Sequence, residues 1–373
     1  MQKQYLIKEK LYKLPFTKHN NPNGWIEPTT FCQLKCPHCY RGADKANFKP
    51  IHRDLKDVLT EIDELVRIRN IQTLTIAGGE PLLYPDLDKL IEYAVKKNLN
   101  VMINTNGILI SKTRLEELKE LGVTRIVIHI DKYQGREETG TEKGINKLRE
   151  DYCHLFRKVN GISLGFIMPI SGDNVDDLDI LIPFLKNNAD IVRLIAFTIL
   201  CESTPGEKHS TIKIVDPNMV FNKIKSLYGL EYCSYLGRTN SDGISWLYAY
   251  NIFAGNKFLG SIDKDIVRFA QEENFKKEKR YLFSSDKNKN SLKFLLLKIF
   301  NKSTRQILWQ YLKNKKMEKM FEQILLIVST PQLSNGDWDL CHGCPDAILH
   351  EGDLVPSCFL EKIKAGERIK LKN

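Results

Sequence analysis

The sequence predicts an α/β fold, namely a partial (β/α)6 barrel of the TIM type. Three observations support this prediction. Between residues 24 and 200, short β-branched runs alternate with segments of helical periodicity, as parallel βα units do. Six such units follow one another, fewer than the eight of a closed barrel. Glycines and polar residues cluster just after the predicted strands, where α/β folds build their sites.

The predicted strands are short and rich in branched apolar residues: Trp25–Pro28, Thr73–Ala77, Asn100–Asn104, Arg125–Ile130, Ser163–Met168 and Val192–Phe197. The helix over Asp54–Asn70 has the clearest pattern, because its apolar residues recur at steps of three and four. Four more helices are predicted between the later strands: Asp86–Lys97, Lys112–Leu121, Thr141–Val159 and Val175–Asn187.

The βα rhythm ends near residue 200, which divides the chain into four predicted parts. Residues 1–23 are an N-terminal extension and 24–200 the barrel. Residues 201–330 are a mainly helical, basic insertion with a helix over Asn218–Leu227, and 331–373 form a small C-terminal module. The net charge of +10 is local, since residues 276–319 carry 14 Lys and Arg against three acids. A nucleic-acid-binding surface over the whole protein is therefore not indicated.

The sequence favours a cytoplasmic protein. The strongly apolar runs are shorter than ten residues, whereas a spanning helix needs about 20. The amino terminus carries charge where a signal peptide would be apolar. Nine cysteines are an odd number, and thiols in a reducing compartment serve as metal ligands or catalytic groups more often than as disulfides.

The first cysteine group, Cys32, Cys36 and Cys39, has the spacing C-x3-C-x2-C directly after a predicted strand. Three thiolates in one loop can bind three irons of a [4Fe–4S] cluster and leave the fourth iron open to a chelating ligand. A zinc site completed by His38 is the alternative that the spacing also allows.

Further polar motifs stand at the ends of the following strands. Gly78-Gly79-Glu80-Pro81 combines two flexible residues with a carboxylate that can accept hydrogen bonds from an ammonium group. The same four residues are equally consistent with a tight strand-to-helix turn. Thr105-Asn106-Gly107 ends the next strand. His129 is either a ligand contact or a core histidine, and Asn174 either a contact or part of a helix N-cap.

Together these motifs resemble the radical S-adenosylmethionine (SAM) superfamily. The resemblance implies that SAM chelates the open iron and is cleaved reductively to a 5′-deoxyadenosyl radical. It also implies SAM contacts at Gly78, Gly79, Glu80, Thr105, Asn106, His129 and Asn174. Two positions depart from the superfamily's pattern: His38 stands where an aromatic residue is usual, and His129 where a serine is usual.

The second cysteine group, Cys341, Cys344 and Cys358, has the spacing C-x2-C-x13-C, with a hairpin predicted at Glu351-Gly352-Asp353. A zinc knuckle completed by His342 or His350 is one interpretation. The spacing also resembles the twitch or SPASM-like module that holds an auxiliary [4Fe–4S] cluster in some radical SAM enzymes, so two clusters are expected. Cys201 is the preferred fourth ligand and Cys233 the other candidate.

The resemblance implies an enzyme that abstracts hydrogen from a substrate and takes its electron from reduced flavodoxin or ferredoxin. A lipid or isoprenoid, a peptide, and a sugar or nucleotide are the substrate candidates. GTP cyclisation is not expected, because Pro345-Asp346-Ala347 replaces the arginines of the GTP-cyclising family. The alternative is a non-enzymatic iron–sulfur electron-transfer or zinc-binding protein.

The basic segment 276–319 contains a predicted amphipathic helix over Ser291–Leu312. Its apolar stripe comprises Leu292, Leu295, Leu296, Ile299 and Phe300. Such a stripe can cap the barrel, or the helix can bind an anionic membrane surface. Nucleic acid is a third partner, which steep salt dependence would reveal.

Overall fold

The computed structural model of the chain describes residues 8–36, 39–42, 48–134, 136, 140–200, 213–283, 298–314, 318–334, 337–364 and 366.

Six adjacent parallel strands form one side of an 11-stranded, mostly parallel sheet, with β2 at its edge. They follow the chain order β2 to β7, and each pairs with the next. The α/β class and the order of the predicted strands are confirmed, and every strand lies within two residues of its predicted bounds. The strands are β2 (Asn23–Thr29), β3 (Thr73–Gly78), β4 (Asn100–Thr105), β5 (Val123–His129), β6 (Ser163–Ile170) and β7 (Val192–Ile199).

Five helices connect these strands: α1 (Leu55–Arg69), α2 (Leu87–Lys96), α3 (Lys112–Glu120), α4 (Glu142–Val159) and α5 (Leu178–Asn187). Several begin at side-chain caps that the sequence supplies. Asp54 accepts from the backbone N–H of Lys56, Ser111 from that of Arg114, and Thr141 from that of Gly144. Their apolar faces pack on the sheet and form one continuous core with it.

The region after residue 200 extends the same sheet beyond β7. β11 (Met320–Ser329) pairs parallel with β7 and antiparallel with β9 (Ile244–Ala254). β8 (Ser234–Gly237) joins β9 to the short β1 (Tyr12–Lys13), and β10 (Lys257–Ser261) also pairs with β9. Three helices, α6 (Pro217–Tyr228), α7 (Lys264–Glu278) and α8 (Lys302–Leu312), accompany these strands.

The prediction of a mainly helical insertion is not confirmed, because the described residues of 201–330 contain four strands of the main sheet as well as three helices. The physical reason lies in β9, whose 11 residues are all buried. A strand covered on both faces has no alternating pattern to mark it in the sequence. The predicted helix Asn218–Leu227 is confirmed as α6, which begins at the cap Asp216 with Pro217 and ends at Gly229.

The C-terminal region contains two small hairpins and a short helix. The elements are β12 (Gln332–Ser334), β13 (Asp337–Asp339), β14 (Ala347–His350), β15 (Asp353–Pro356) and α9 (Leu360–Lys364). The predicted turn at Glu351-Gly352 is confirmed, with both residues at positive φ (50° and 85°). The second hairpin packs with Leu360 against Trp25 of β2.

The predicted helix over Ser291–Leu312 falls partly outside the described residues, which resume at Lys298. α8 begins only at Lys302, because the Asn301 side chain accepts from the N–H of Thr304 and starts a new helix there. Ile299 and Phe300 belong to the predicted stripe, for which capping of the barrel was the favoured interpretation and membrane binding the alternative. They are instead 45% and 91% exposed. None of the helices in the described ranges has the length and apolar character needed to cross a bilayer.

Candidate functional site

The loops that follow β2, β3 and β4 meet at the carboxyl edge of the sheet. The N–H of Gly79 donates to the carbonyl of Thr29 at 2.9 Å, and the N–H of Glu80 to that of Phe31 at 2.6 Å. Phe31 directly precedes Cys32, so the glycine turn is bonded to the start of the first cysteine loop. The structure thus joins two motifs that lie some 45 residues apart in the sequence.

The two glycines of this turn are required by space. A Cβ atom on Gly79 would lie 2.3 Å from the carbonyl oxygen of Phe31. A Cβ on Gly78 would lie 2.3 Å from that of Thr29, and Gly78 also has a φ of +120°. Both distances are far below van der Waals contact with backbone atoms, so any side chain here displaces the cysteine loop.

Glu80 is fully buried and its carboxylate holds the neighbouring turn. The Thr105 hydroxyl donates to Oε1 at 2.7 Å, the N–H of Asn106 to Oε2 at 2.7 Å, and the N–H of Leu82 to Oε1 at 3.0 Å. Burial raises the pKa of Glu80, and these hydrogen bonds oppose that shift. Glu80 thus fixes the Thr105-Asn106 turn, while its direct contact to SAM stays a prediction.

Asn106 links that turn to the first cysteine group. Its side-chain Nδ2 lies 3.7 Å from the Sγ of Cys32, within hydrogen-bonding distance for sulfur, and its Oδ1 accepts from the N–H of Ile108. Cys32, Cys36 and Cys39 are all partly exposed. Burial raises the pKa of Cys36 to about 12, with further contributions from Asp131 and the other two cysteines.

His129 and Asn174 occupy different surroundings. His129 ends β5, its side chain is 37% exposed, and its Nε2 lies 2.9 Å from Oδ2 of Asp131. Its side chain is therefore partly exposed, although the Nε2 atom itself is buried. Asn174 is buried, accepting from the N–H of Ser171 and donating to the carbonyl of Pro169. This side chain is used within its own loop, which agrees with a structural role; SAM contacts at both residues stay predictions.

Two arginines beside the first cysteine loop were not predicted from the sequence. Arg136 donates to the carbonyl oxygens of Asn106 and His129, and its charge acts on the pKa of both Cys36 and Glu80. Arg41 lies two residues after Cys39 and is buried. It pairs with Glu27 of β2 and with Glu361 of α9, each at 2.9 Å.

The second cysteine group is gathered in the C-terminal region. Hydrogen bonding with Cys344 lowers the pKa of Cys341 to about 7. Burial raises the pKa of Cys358 above its ordinary value, and Cys341 and Asp346 raise it further. The three thiols therefore lie close enough to influence one another, while their role as cluster ligands stays a prediction.

Buried arginines hold this second group. Arg69, from the end of α1, donates to the carbonyl of Cys344 at 2.6 Å and to that of Ala347 at 3.3 Å. Arg238, after β8, donates to the carbonyl of Asp339 at 3.0 Å. Gly343 has a φ of +61°, and a Cβ there would lie 2.2 Å from the carbonyl of Phe16. The knuckle between Cys341 and Cys344 is thus fixed against the N-terminal part of the sheet.

The donor sets at both places suit iron–sulfur clusters. Each consists of three thiols, with a cationic arginine nearby to balance a thiolate-bound cluster. At the second group the Nε of Arg69 is a buried donor with no hydrogen-bond partner among the described residues. Among the described residues, which include all six of these cysteines, no three His, Cys, Asp or Glu side chains are arranged closely enough to hold a single metal ion.

The remaining cysteines divide into three cases. Cys201, the preferred fourth ligand, lies outside the described residues. Cys233 is buried and donates to the carbonyl of Tyr248. Cys153 is fully buried in α4, as expected of a core residue.

Comparison with known proteins agrees with this geometry. The sequence model of the Radical SAM superfamily matches residues 26–185. An Fe-coproporphyrin III synthase from Methanosarcina barkeri is 28% identical over 187 residues, which cover 46% of this chain and 43% of the relative. A GTP 3′,8-cyclase from Aquifex aeolicus is 29% identical over 257 residues, covering 65% and 75%.

An AdoMet-dependent heme synthase from Methanosarcina barkeri is 34% identical over 105 residues, 28% of this chain and 30% of the relative. The chain thus spans less than half the length of both Methanosarcina relatives. Among solved structures, native anSMEcpe with bound AdoMet is 20% identical, with a TM-score of 0.43, over 55% of this chain and 59% of that one.

The fold and the site define a class: an α/β domain with a thiol-rich loop at the carboxyl edge of a parallel sheet. Residues 26–185 are a radical SAM superfamily domain. The cofactors of that superfamily, a [4Fe–4S] cluster and SAM, are those the first cysteine group and its neighbouring turns are suited to bind.

Proposed function

We propose that this chain is a radical SAM enzyme that abstracts hydrogen from an organic substrate, with its SAM-cleaving cluster on Cys32, Cys36 and Cys39. The observation that carries the proposal is the direct bonding of three motifs. The Gly78-Gly79-Glu80 turn bonds to the cysteine loop, and Glu80 in turn holds Asn106 beside Cys32. A zinc loop alone would need neither the glycine turn nor the buried carboxylate.

Each part of the site has a role in this proposal. When bound, the cluster supplies the electron that cleaves SAM to methionine and a 5′-deoxyadenosyl radical. Gly79 allows the turn to pack closely against the backbone before Cys32, and Glu80 fixes the turn that carries Asn106. His129 and Arg136 present an imidazole and a cation from the next strand and loop. The partly exposed thiols leave room for ligands to enter.

Cys341, Cys344 and Cys358 are proposed to hold an auxiliary [4Fe–4S] cluster that assists oxidation or binds substrate. Reduced flavodoxin or ferredoxin is the proposed electron donor. GTP is not the proposed substrate, although GTP 3′,8-cyclases are among the relatives. The buried carboxyl of Asp346 stands two residues after Cys344, and an acid there is a poor neighbour for a triphosphate. The lipid or isoprenoid, peptide and sugar classes remain as candidates.

Replacing Cys36 by alanine tests the assignment of the first group. We expect anaerobically reconstituted wild-type protein to form 5′-deoxyadenosine on reduction with SAM, and Cys36→Ala to form none, because one of three cluster ligands is lost. Cys153→Ala is the matched control, since this buried helical cysteine lies away from both groups. Deoxyadenosine is measured by chromatography.

Two results would contradict the proposal. One is zinc in the purified protein with no absorbance near about 400 nm after reconstitution, which indicates a zinc site. The other is an iron-loaded wild-type protein that never cleaves SAM, which indicates the electron-transfer alternative.

A further inference from the structure

A patch of exposed apolar and basic side chains lies on α8 and the turn before it. Four large apolar residues are exposed there: Ile299 (45%), Phe300 (91%), Trp309 (59%) and Leu312 (68%). The apolar–basic patch consists of these four together with Lys302, Arg305 and Lys313. We propose that this patch docks the protein onto an anionic phospholipid bilayer surface.

The patch is held in place by the opposite face of α8. Thr304, Ile307, Leu308 and Tyr311 are buried, and α8 packs on β10. Gly260 of β10 makes this approach close, since a Cβ there would lie 3.1 Å from the Cγ1 of Ile307. At the start of the helix, the Asn301 side chain donates to Asp263 at 2.8 Å. The exposed side chains therefore project from an anchored helix.

The charge of the apolar–basic patch favours an anionic partner. Residues 298–314 include no acidic residue, and none of Lys302, Arg305 and Lys313 pairs with an acid in the described part of the chain. Lys313 instead lies 4.8 Å from the ring centre of Trp309. Cations left unpaired beside exposed apolar side chains complement an anionic surface with an apolar interior.

The composition of the patch distinguishes a bilayer from the other partners. A tryptophan next to basic residues is typical of the membrane interface, where its ring lies at the headgroup level. Binding to a phosphate backbone depends mainly on cations, and exposed aliphatic side chains such as Leu312 add nothing to it. Outside 276–319 the sequence carries 42 basic and 43 acidic residues, so electrostatic attraction is concentrated on this segment.

Co-sedimentation with vesicles tests the proposal. We expect the full chain to bind vesicles of equimolar phosphatidylcholine and phosphatidylserine, to bind pure phosphatidylcholine weakly, and to be released by salt. The double variant Phe300→Ser/Trp309→Ser should bind the anionic vesicles at least about tenfold more weakly, because two large side chains no longer enter the bilayer. Lys302→Glu/Arg305→Glu should also weaken binding, and most strongly at low salt.

Matched controls make the same chemical changes elsewhere. Ile180→Ser/Met219→Ser alters two exposed apolar residues on α5 and α6, and Lys143→Glu/Lys147→Glu reverses two exposed charges on α4. Both should bind as the wild type does. Thermal unfolding of each variant shows that it is folded, and a blue shift of tryptophan emission on vesicle binding should vanish in Trp309→Phe.

Three outcomes would overturn the proposal. The first is no binding to the anionic vesicles, and the second is equal binding by patch and control variants. The third is that the patch binds another partner and the protein does not bind vesicles. In that case the wild type forms an oligomer that Phe300→Ser/Trp309→Ser converts to monomer, or it binds RNA. The result is independent of the radical chemistry, since 5′-deoxyadenosine formation in detergent-free solution is measured separately.

Discussion

At the scale of single residues, the site depends on two positions that have no side chain. Gly78 and Gly79 leave space that the carbonyl oxygens of Thr29 and Phe31 occupy. The sequence showed that two glycines stood at a strand end, yet it could not show which backbone they would face. The partner loop begins only after the preceding strand, and its approach depends on β2 and β3 pairing in register.

Gly79→Ala is expected to disturb the site without unfolding the protein. The added methyl must displace the backbone before Cys32, and misplacing reactive groups by about 1 Å can reduce a rate by about 100-fold. The rate of 5′-deoxyadenosine formation should fall by that order. Gly140→Ala is the control, since no atom lies within 4 Å of the added Cβ. Equal rates in the two variants would show that the close approach is not needed.

The arginines illustrate where residue-level prediction fails. Arg41, Arg69 and Arg238 are 5%, 1% and 7% exposed, yet arginine in a sequence indicates a surface position. Their acceptors are carbonyls and carboxylates that are distant in the chain. Only the folded structure reveals that these charges support the two cysteine groups.

At the scale of elements, β2 and α9 are linked through one buried ion network. Glu27 of β2 accepts from the Trp25 indole at 2.9 Å and the Tyr40 hydroxyl at 3.0 Å, and it pairs with Arg41. Arg41 extends the network to Glu361 of α9, which is one-third exposed. The end of the first cysteine loop is therefore fixed from two sides.

The loss of different members of this network should lower the free energy of unfolding by different amounts. Arg41→Met leaves the carboxylate of Glu27 buried without its cation, so the free energy of unfolding should fall by about 3–5 kcal/mol. Glu361→Gln should lower it by about 1 kcal/mol or less, because that pair is partly solvated. Urea unfolding measures both.

The double variant Glu27→Gln/Arg41→Met provides the control for this prediction. It removes both charges, so it should be more stable than Arg41→Met alone. A double variant that loses the sum of the two single effects would show that Glu27 and Arg41 are not coupled.

Elements that belong to the repeated βα units were predictable from the sequence, whereas the strands β9 and β11, which lie outside that repeat, were not. The amphipathic helices and the six strands of the barrel lie close to their predicted bounds, because each combines a periodic core face with local caps and turns. β9 and β11 lack a polar face, and β11 pairs with β7 across more than 120 residues. Sequence periodicity carries no information about such a partner.

At the scale of the whole molecule, the chain brings two cysteine groups onto one sheet framework. The second group is fixed by residues of the N-terminal part, with Asn21 donating to the carbonyl of Gly343 at 2.9 Å and Asn23 to that of Pro345 at 3.2 Å. The C-terminal region is thus integrated with the barrel. The hairpin turn was predicted from the sequence, whereas this attachment was not.

Cys344→Ala tests whether the two groups work separately. We expect the iron content of reconstituted protein to fall from about eight to about four atoms per chain. Cleavage of SAM should persist, since the first group is intact, while conversion of substrate should be lost. Iron analysis and deoxyadenosine assays distinguish the two effects, and unchanged iron would contradict the assignment of the second cluster.

The attachment of Asn21 and Asn23 to residues near 345 also has a consequence for synthesis on the ribosome. Asn21 and its partner Gly343 are 322 residues apart in the chain. At about 5–20 residues per second, the early strands wait roughly a quarter of a minute to about one minute before those partners emerge. During that interval the barrel has β2 but lacks the contacts that cover it. Chaperones and cluster-assembly factors would therefore meet a nascent chain in which the contacts that hold the first cysteine loop are only partly formed.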